Sequence, residues 1–156
     1  MRRAFNTTLF RSTRSVARRF AVVKLFTETH EWVRLDEEKK TAVIGISKES
    51  ADHLGQILFV SLPGIGDEVK VEDELCDIES VKAAAKVFSP VNGKVSAVNK
   101  GVDGDAGGVP AKAGTHSEDE SETGGWLVKL ENAEKGSLKY MTPEQYAKFL
   151  EDEPLK

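Results

Sequence analysis

Cysteine is nearly absent: Cys76 is the single one in 156 residues. An internal disulfide and a multi-thiolate metal site are therefore excluded, and nothing in the chain calls for an oxidising compartment. No apolar run approaches the ~20 residues of a membrane-spanning helix. Acidic residues are missing from the start of the chain, the first being Glu28, while residues 1–24 hold six Arg (Arg2, Arg3, Arg11, Arg14, Arg18, Arg19) and Lys24. The formal net charge of −4 thus averages two unlike parts. With those seven cations set aside, 15 basic residues face 26 acidic ones, so residues 25–156 carry about −11. Such a body is poorly suited to nucleic acid, whose phosphates select Lys and Arg, and is repelled by an anionic membrane surface. Its ~130 residues suffice for one hydrophobic core, and the 31% charged composition suits one soluble domain.

What is present at the amino terminus is Arg interleaved with Thr7, Thr8, Ser12, Thr13 and Ser15. Phe5, Leu9, Val16 and Phe20 are spaced for an amphipathic helix. Arg-rich, hydroxyl-rich and acid-free composition is that of a mitochondrial transit peptide. Residues 1–24 are assigned that role, with cleavage near Phe20 to Lys24, and residues 25–156 form the mature domain.

Strand signals dominate that domain. His30 to Leu35, Thr41 to Ile46 and Gln56 to Leu62 are short, rich in Val, Ile, Trp and Phe, and bounded by charged or Gly/Pro turns. Ser47 is placed to cap a short helix that Gly55 ends. A long hairpin is expected from Glu74 to Val91. Asn92-Gly93 then reads as a two-residue tight turn, with Lys94 to Val98 returning as a strand. Residues 101–125 hold seven of the 13 glycines and six acids, which suggests a mobile loop. Trp126 to Leu130 is a further strand. Thr142-Pro143-Glu144-Gln145 opens a last helix with a capping box; Met141 and Tyr146 are spaced as a staple, and Tyr146, Phe149 and Leu150 form its inward stripe.

Two strand-like runs flank Ser80-Val81-Lys82-Ala83, so Lys82 falls at a hairpin tip. A tip lysine is ordinarily a solvated charge. Here the small Ala83, Ala84 and Ala85, the acids Asp77 and Glu79, and the following Pro-x-x-Gly leave one amine on an unobstructed spur, as a modifying ligase requires. The strings E-S-V-K-A at 79–83, P-x-x-G-D-x-V at 63–69 and S-P-V-N-G-K-V at 89–95 resemble the H protein family of the glycine cleavage system. So do T-H-E-W-V at 29–33, G-I-S at 45–47, A-D-H-L-G at 51–55 and G-W-L-V-K at 125–129. The resemblance covers roughly residues 25–100 and 124–150 in register. Biotin-carrying domains place Met on both sides of the lysine, and the lipoyl domains of 2-oxoacid dehydrogenase complexes usually show Asp-Lys-Ala.

The resemblance implies a mainly β, flattened β-sandwich of the lipoyl/biotinyl type (a barrel-sandwich hybrid) with short helices and a C-terminal helix. It implies lipoic acid in amide linkage to Lys82, and a carrier rather than an enzyme. The implied partners are a pyridoxal-phosphate glycine decarboxylase, a tetrahydrofolate-dependent aminomethyltransferase, dihydrolipoyl dehydrogenase and a lipoyl/octanoyl transferase, in the mitochondrial matrix. It further implies that the loaded arm folds into a cleft lined by Thr29, Glu31 and His53, where the Glu31 carboxylate meets the cationic cargo. A relay carrier for other lipoyl domains and an unmodified interaction module remain as alternatives.

Three positions depart from the family pattern. Lys86 replaces an acid four residues after the modified lysine, Glu72 replaces a turn Gly, and residues 101–124 replace an Asn-Pro-x-Leu-x-Asn segment. If the turn keeps a positive φ at Glu72, a non-Gly residue there costs on the order of 1 kcal/mol. Enzyme motifs fail. His30-Glu31 opens like a zinc-protease signature, but position 34 is Arg. Gly64-Ile65-Gly66 lacks the third glycine and the helix of a dinucleotide loop. Cys76 has the address of a small buried hydrophobe, and Trp32 and Trp126 those of core residues.

Overall fold

A computed structural model of the chain describes residues 22–102, 125–153 and 155. Among these residues nine strands and two helices follow in order: β1 (Val22–Phe26), β2 (Glu31–Asp36), β3 (Thr41–Ile46), α1 (Lys48–Leu54), β4 (Ile57–Ser61), β5 (Glu68–Val69), β6 (Glu74–Ser80), β7 (Ala84–Phe88), β8 (Val91–Val98), β9 (Val128–Lys135) and α2 (Pro143–Asp152). The strands form two antiparallel sheets, β1-β2-β3-β9-β8-β5 and β4-β6-β7. Among the described residues neither sheet closes into a barrel, and the mainly β, two-sheet expectation with a C-terminal helix is borne out. Among the described residues no helix is long and apolar enough to cross a membrane.

Period-two alternation explains the layering. Val33 and Leu35 of β2, Ile44 and Ile46 of β3, and Val95 and Leu130 of β8 and β9 face the second sheet. That sheet returns Val60, Ile78 and Val87. Each such side chain contributes roughly 1.5–3 kcal/mol when fully buried. The opposite face of the larger sheet carries a smaller cluster of Trp32, Val43 and Trp126, with Phe26 and Ala97 against it. Both tryptophans are buried, as expected, but in this satellite rather than the main core. Gly45, paired with Trp32, makes room: a Cβ there would lie 2.6 Å from the indole carbons. Lysines roof the cluster, Lys24 5.1 Å from the Phe26 ring and Lys129 4.7 Å from that of Trp126.

Both helices have the ends their sequences encode. Ser47 Oγ accepts from Ser50 N, and Gly55 stops α1 at φ +72°. Thr142 and Gln145 exchange both capping-box bonds, with Pro143 in the first turn. Tyr146 stacks on Phe26 (centroids 4.3 Å apart, planes at 4°) and donates to Ser47 Oγ, so α2 is fixed to the edge of β1 and to the cap of α1. Met141 exchanges two backbone bonds with Phe26, prolonging that edge.

One expected turn is absent. Asn92 and Gly93 lie inside β8, which runs unbroken from Val91 to Val98. The chain instead changes sheets at Ser89-Pro90, because β8 pairs with β9 and β5 and not with β7. Gly93 serves a close approach, 3.0 Å from the Glu131 carbonyl to an added Cβ, beside a register shift between Asn92 and Lys94. Asn92 Oδ1 accepts from Val71 N. β1 begins at Val22, so Val22 to Lys24 of the segment assigned to the leader belong to a paired strand. The rest of the proposed leader, and residues 103–124 of the proposed loop, lie outside the described residues.

Candidate functional site

The hairpin of β6 and β7 is built as the sequence suggests, with Val81, Lys82 and Ala83 at its tip. Leu75, Cys76 and Ile78 anchor β6 in the core. Ser80 braces the turn: its backbone N–H and its hydroxyl both donate to the Ala83 carbonyl at 2.9 Å. Its Oγ also accepts from the N–H groups of Lys82 and Ala83. Val81 N–H donates to the Gln56 carbonyl at 3.0 Å, tying the tip to the start of β4. Lys82 is exposed, and its aliphatic chain passes beside Gly55, where an added Cβ would lie 3.4 Å from Cε. A free primary amine is thus presented from a backbone with no slack. Ser80 as a brace and Gly55 as a bed for the lysine are functional positions beyond those expected; the Ser-x-x-Ala turn spacing is the sequence signal for the first.

Consecutive residues of Thr29-His30-Glu31-Trp32 go to three different places. His30, at φ +69°, sends its ring to α2, with Nδ1 2.7 Å from Tyr146 Oη. Burial lowers its pKa against the opposing pull of Glu31 and Glu49. Trp32 joins the outer cluster. Glu31 points between the sheets and is only 1% exposed. Its Oε1 accepts from Phe88 N–H at 3.0 Å; its Oε2 accepts from Thr29 Oγ1 at 2.5 Å and from Thr27 Oγ1. Thr27 in turn accepts from Glu31 N–H. These donors satisfy the buried carboxylate and join the β1–β2 loop to the end of β7.

A cavity of about 360 Å³ opens over this cluster, lined by Thr29, Glu31, Glu72, Phe88, Pro90 and Leu138 among others. Thr29 and Glu31 are therefore brought together. His53 does not line the cavity; it is exposed in the last turn of α1, two residues before Gly55. Glu72 adopts φ +68°, the conformation for which the family pattern keeps Gly, and reaches the cavity rim. Lys86 is paired with Glu74 across the hairpin, and that contact lowers the Glu74 pKa. Burial pushes the Cys76 thiol up to about 12, as befits a packing residue.

The profile of the family described as Glycine cleavage H-protein matches residues 24–153. The glycine cleavage system H protein of Thermotoga maritima is 38% identical over 132 residues, covering 84% of this chain and 98% of the relative. That of Legionella pneumophila strain Corby is 42% identical over 129 residues, covering 82% and 95%. Among solved structures, the crystal structure of a glycine cleavage system H protein from Mycobacterium marinum superposes with a TM-score of 0.67 at 24% identity, over 83% of this chain and 97% of that one, and so shares the fold. A profile that spans nearly all the described residues, with relatives matched over almost their whole length, places the chain in the glycine cleavage H-protein family, as a carrier component and not a catalyst.

Proposed function

We propose that this protein carries a lipoyl group in amide linkage on Lys82. It would pass an aminomethyl unit from glycine decarboxylase to the tetrahydrofolate-dependent aminomethyltransferase, with reoxidation by dihydrolipoyl dehydrogenase after attachment by a lipoyl/octanoyl transferase. The observation that carries the reading is the exposed Lys82 on a tip braced by Ser80 and tethered to Gln56. The residues present fit the group: the amine is accessible, Gly55 leaves space along its chain, and no side chain of the tip other than Val81 and Ala83 adjoins it in sequence. When bound, lipoate supplies a redox-active disulfide and a sulfur that accepts the one-carbon cargo.

The chain's own residues supply placement. Ser80 holds the tip so that the lysine leaves it in one direction. Thr27, Thr29 and Glu31 fix the floor of a partly dry cavity, where charge interactions are stronger than in water. Amide formation removes the Lys82 charge and takes residues 25–156 from about −11 to about −12; that charge steers the carrier toward basic surfaces in a salt-dependent way.

Reconstituted glycine decarboxylation with the lipoylated protein tests the reading. Lys82→Arg keeps the charge and removes the acylatable amine, so turnover is expected to vanish; retained turnover would overturn the assignment. The leader composition supports a mitochondrial matrix location, and cleavage upstream of Val22 would keep β1 whole. Amino-terminal sequencing of protein from isolated mitochondria tests this, and a mature chain beginning at Met1 would refute it.

A further inference from the structure

We propose that Glu72 is the carboxylate that meets a cationic cargo in the cavity above Glu31, and that it does so in place of the acid missing at position 86. This deepens the carrier reading and rests on it. Glu31 itself is committed: at 1% exposure its two oxygens already accept from Phe88 N–H and the Thr27 and Thr29 hydroxyls, so a cargo reaches it only by displacing a donor. Among the described residues three carboxylates border the cavity, Glu28, Glu31 and Glu72. Glu28 is engaged by Lys139, the one cation among the described lining residues. Among the described residues Glu72 has no ion-pair partner, and it is exposed at the rim. Lys86, where the family pattern has an acid, is turned to Glu74 and offers the cavity nothing.

The backbone holds Glu72 in place. Glu72 N–H donates to the Ser89 carbonyl at 2.9 Å, and Ser89 N–H donates to the Asp73 carbonyl at 2.8 Å, which locks the turn against the end of β7. Phe88, Pro90 and Leu138 give the same lining an apolar part. Such a site favours a small primary ammonium over a neutral amide or alcohol of the same size. An aminomethyl unit on a sulfur carries such an amine, and its loss to water yields thiol, formaldehyde and ammonia. An ion pair at the rim holds the amine inside and slows that loss.

Two measurements on the full chain test this. In the first, methylammonium chloride is titrated into protein without the lipoyl group and the Phe88 amide shift is followed by NMR. The wild type shows a saturable shift, and Glu72→Gln weakens the dissociation constant about fivefold, equivalent to ~1 kcal/mol. Glu72→Gly does the same while relieving the positive φ, so its unfolding temperature does not fall and loss of fold is separated from loss of the contact. An equal constant in wild type and both variants, or no saturable shift in the wild type, overturns the proposal. In the second, loaded lipoyl-protein is held without partner enzymes and ammonia release is timed; release about fivefold faster in Glu72→Gln supports the contact, and equal release discards it. The methylammonium arm needs no modified lysine. Absence of lipoate on Lys82 therefore defeats the carrier reading alone, and an unchanged methylammonium constant defeats the role of Glu72 alone.

Discussion

Glu31 is the buried polar group on which the site geometry most depends, and replacing it separates a hydrogen-bonding role from a charge role. Glu31→Leu leaves Phe88 N–H and the Thr27 hydroxyl facing an apolar side chain, with Thr27 itself 1% exposed. Each buried donor left unsatisfied costs about 1–3 kcal/mol, so the loss from the two should be roughly 2–6 kcal/mol. Glu31→Gln behaves differently. The amide oxygen can keep the Phe88 bond, and the amide NH₂ can face two rotatable hydroxyls that turn to accept. The remaining loss is the difference between charge-assisted and neutral bonds, about 1 kcal/mol after the charged group's burial cost is removed. Urea unfolding followed by tryptophan fluorescence reads both, with midpoints compared at constant m-value. The expected order is wild type, then Gln, then Leu, with Leu at least twice as costly as Gln. A Leu variant within about 0.5 kcal/mol of wild type would refute the idea that this carboxylate knits the β1–β2 loop to β7.

Gly55→Ala places a Cβ at φ +72° and 3.4 Å from Lys82 Cε, so unfolding in urea should show a loss of about 1 kcal/mol. Lipoyl transfer to Lys82 should slow as well; both unchanged would contradict the bed assigned to Gly55. With burial pushing its thiol up to about 12, Cys76 is ionised to only about one part in ten thousand at pH 8. Ellman's reagent should therefore react at the rate of unfolding, and native-state reactivity like that of free cysteine would show a different packing. His30 has its folded pKa depressed below 6.5, so its neutral form is favoured by the fold. Its contribution is complete above the unfolded pKa and lost as pH falls below it, the unfolded chain binding the proton first. Thermal unfolding of the wild type should accordingly fall more steeply between pH 7 and 5 than that of His30→Gln, and parallel curves would reject the link.

Local signals were legible and long-range ones were not. The Ser47 and Thr142 caps, the stop at Gly55, the hairpin around Lys82 and the positive φ at Glu72 are each set by a few adjacent residues, and each stands where its residues indicate. Asn92-Gly93 has the same local chemistry in a tight turn and in a strand that crosses close to a neighbour. Only the pairing of β8 with β9, some 35 residues on, decides between them. The burial of Glu31 likewise depends on a Phe88 amide 57 residues away. His53 and Glu31 were grouped by resemblance, yet they occupy separate regions, one exposed on the last turn of α1 and one buried beneath the cavity. Lys86 and Glu72 were visible as departures from a pattern. Their physical meaning, one cation paired off and one carboxylate at the rim, required the fold.

The central claim is that the braced tip presents Lys82 for modification. Intact-mass measurement of the mature protein from lipoate-replete cells, with peptide mapping across residues 74–94, tests it most directly. The account predicts one lipoyl group in amide linkage, located on Lys82 alone. An unmodified Lys82 under those conditions, or a lipoyl group on any other lysine, would contradict it.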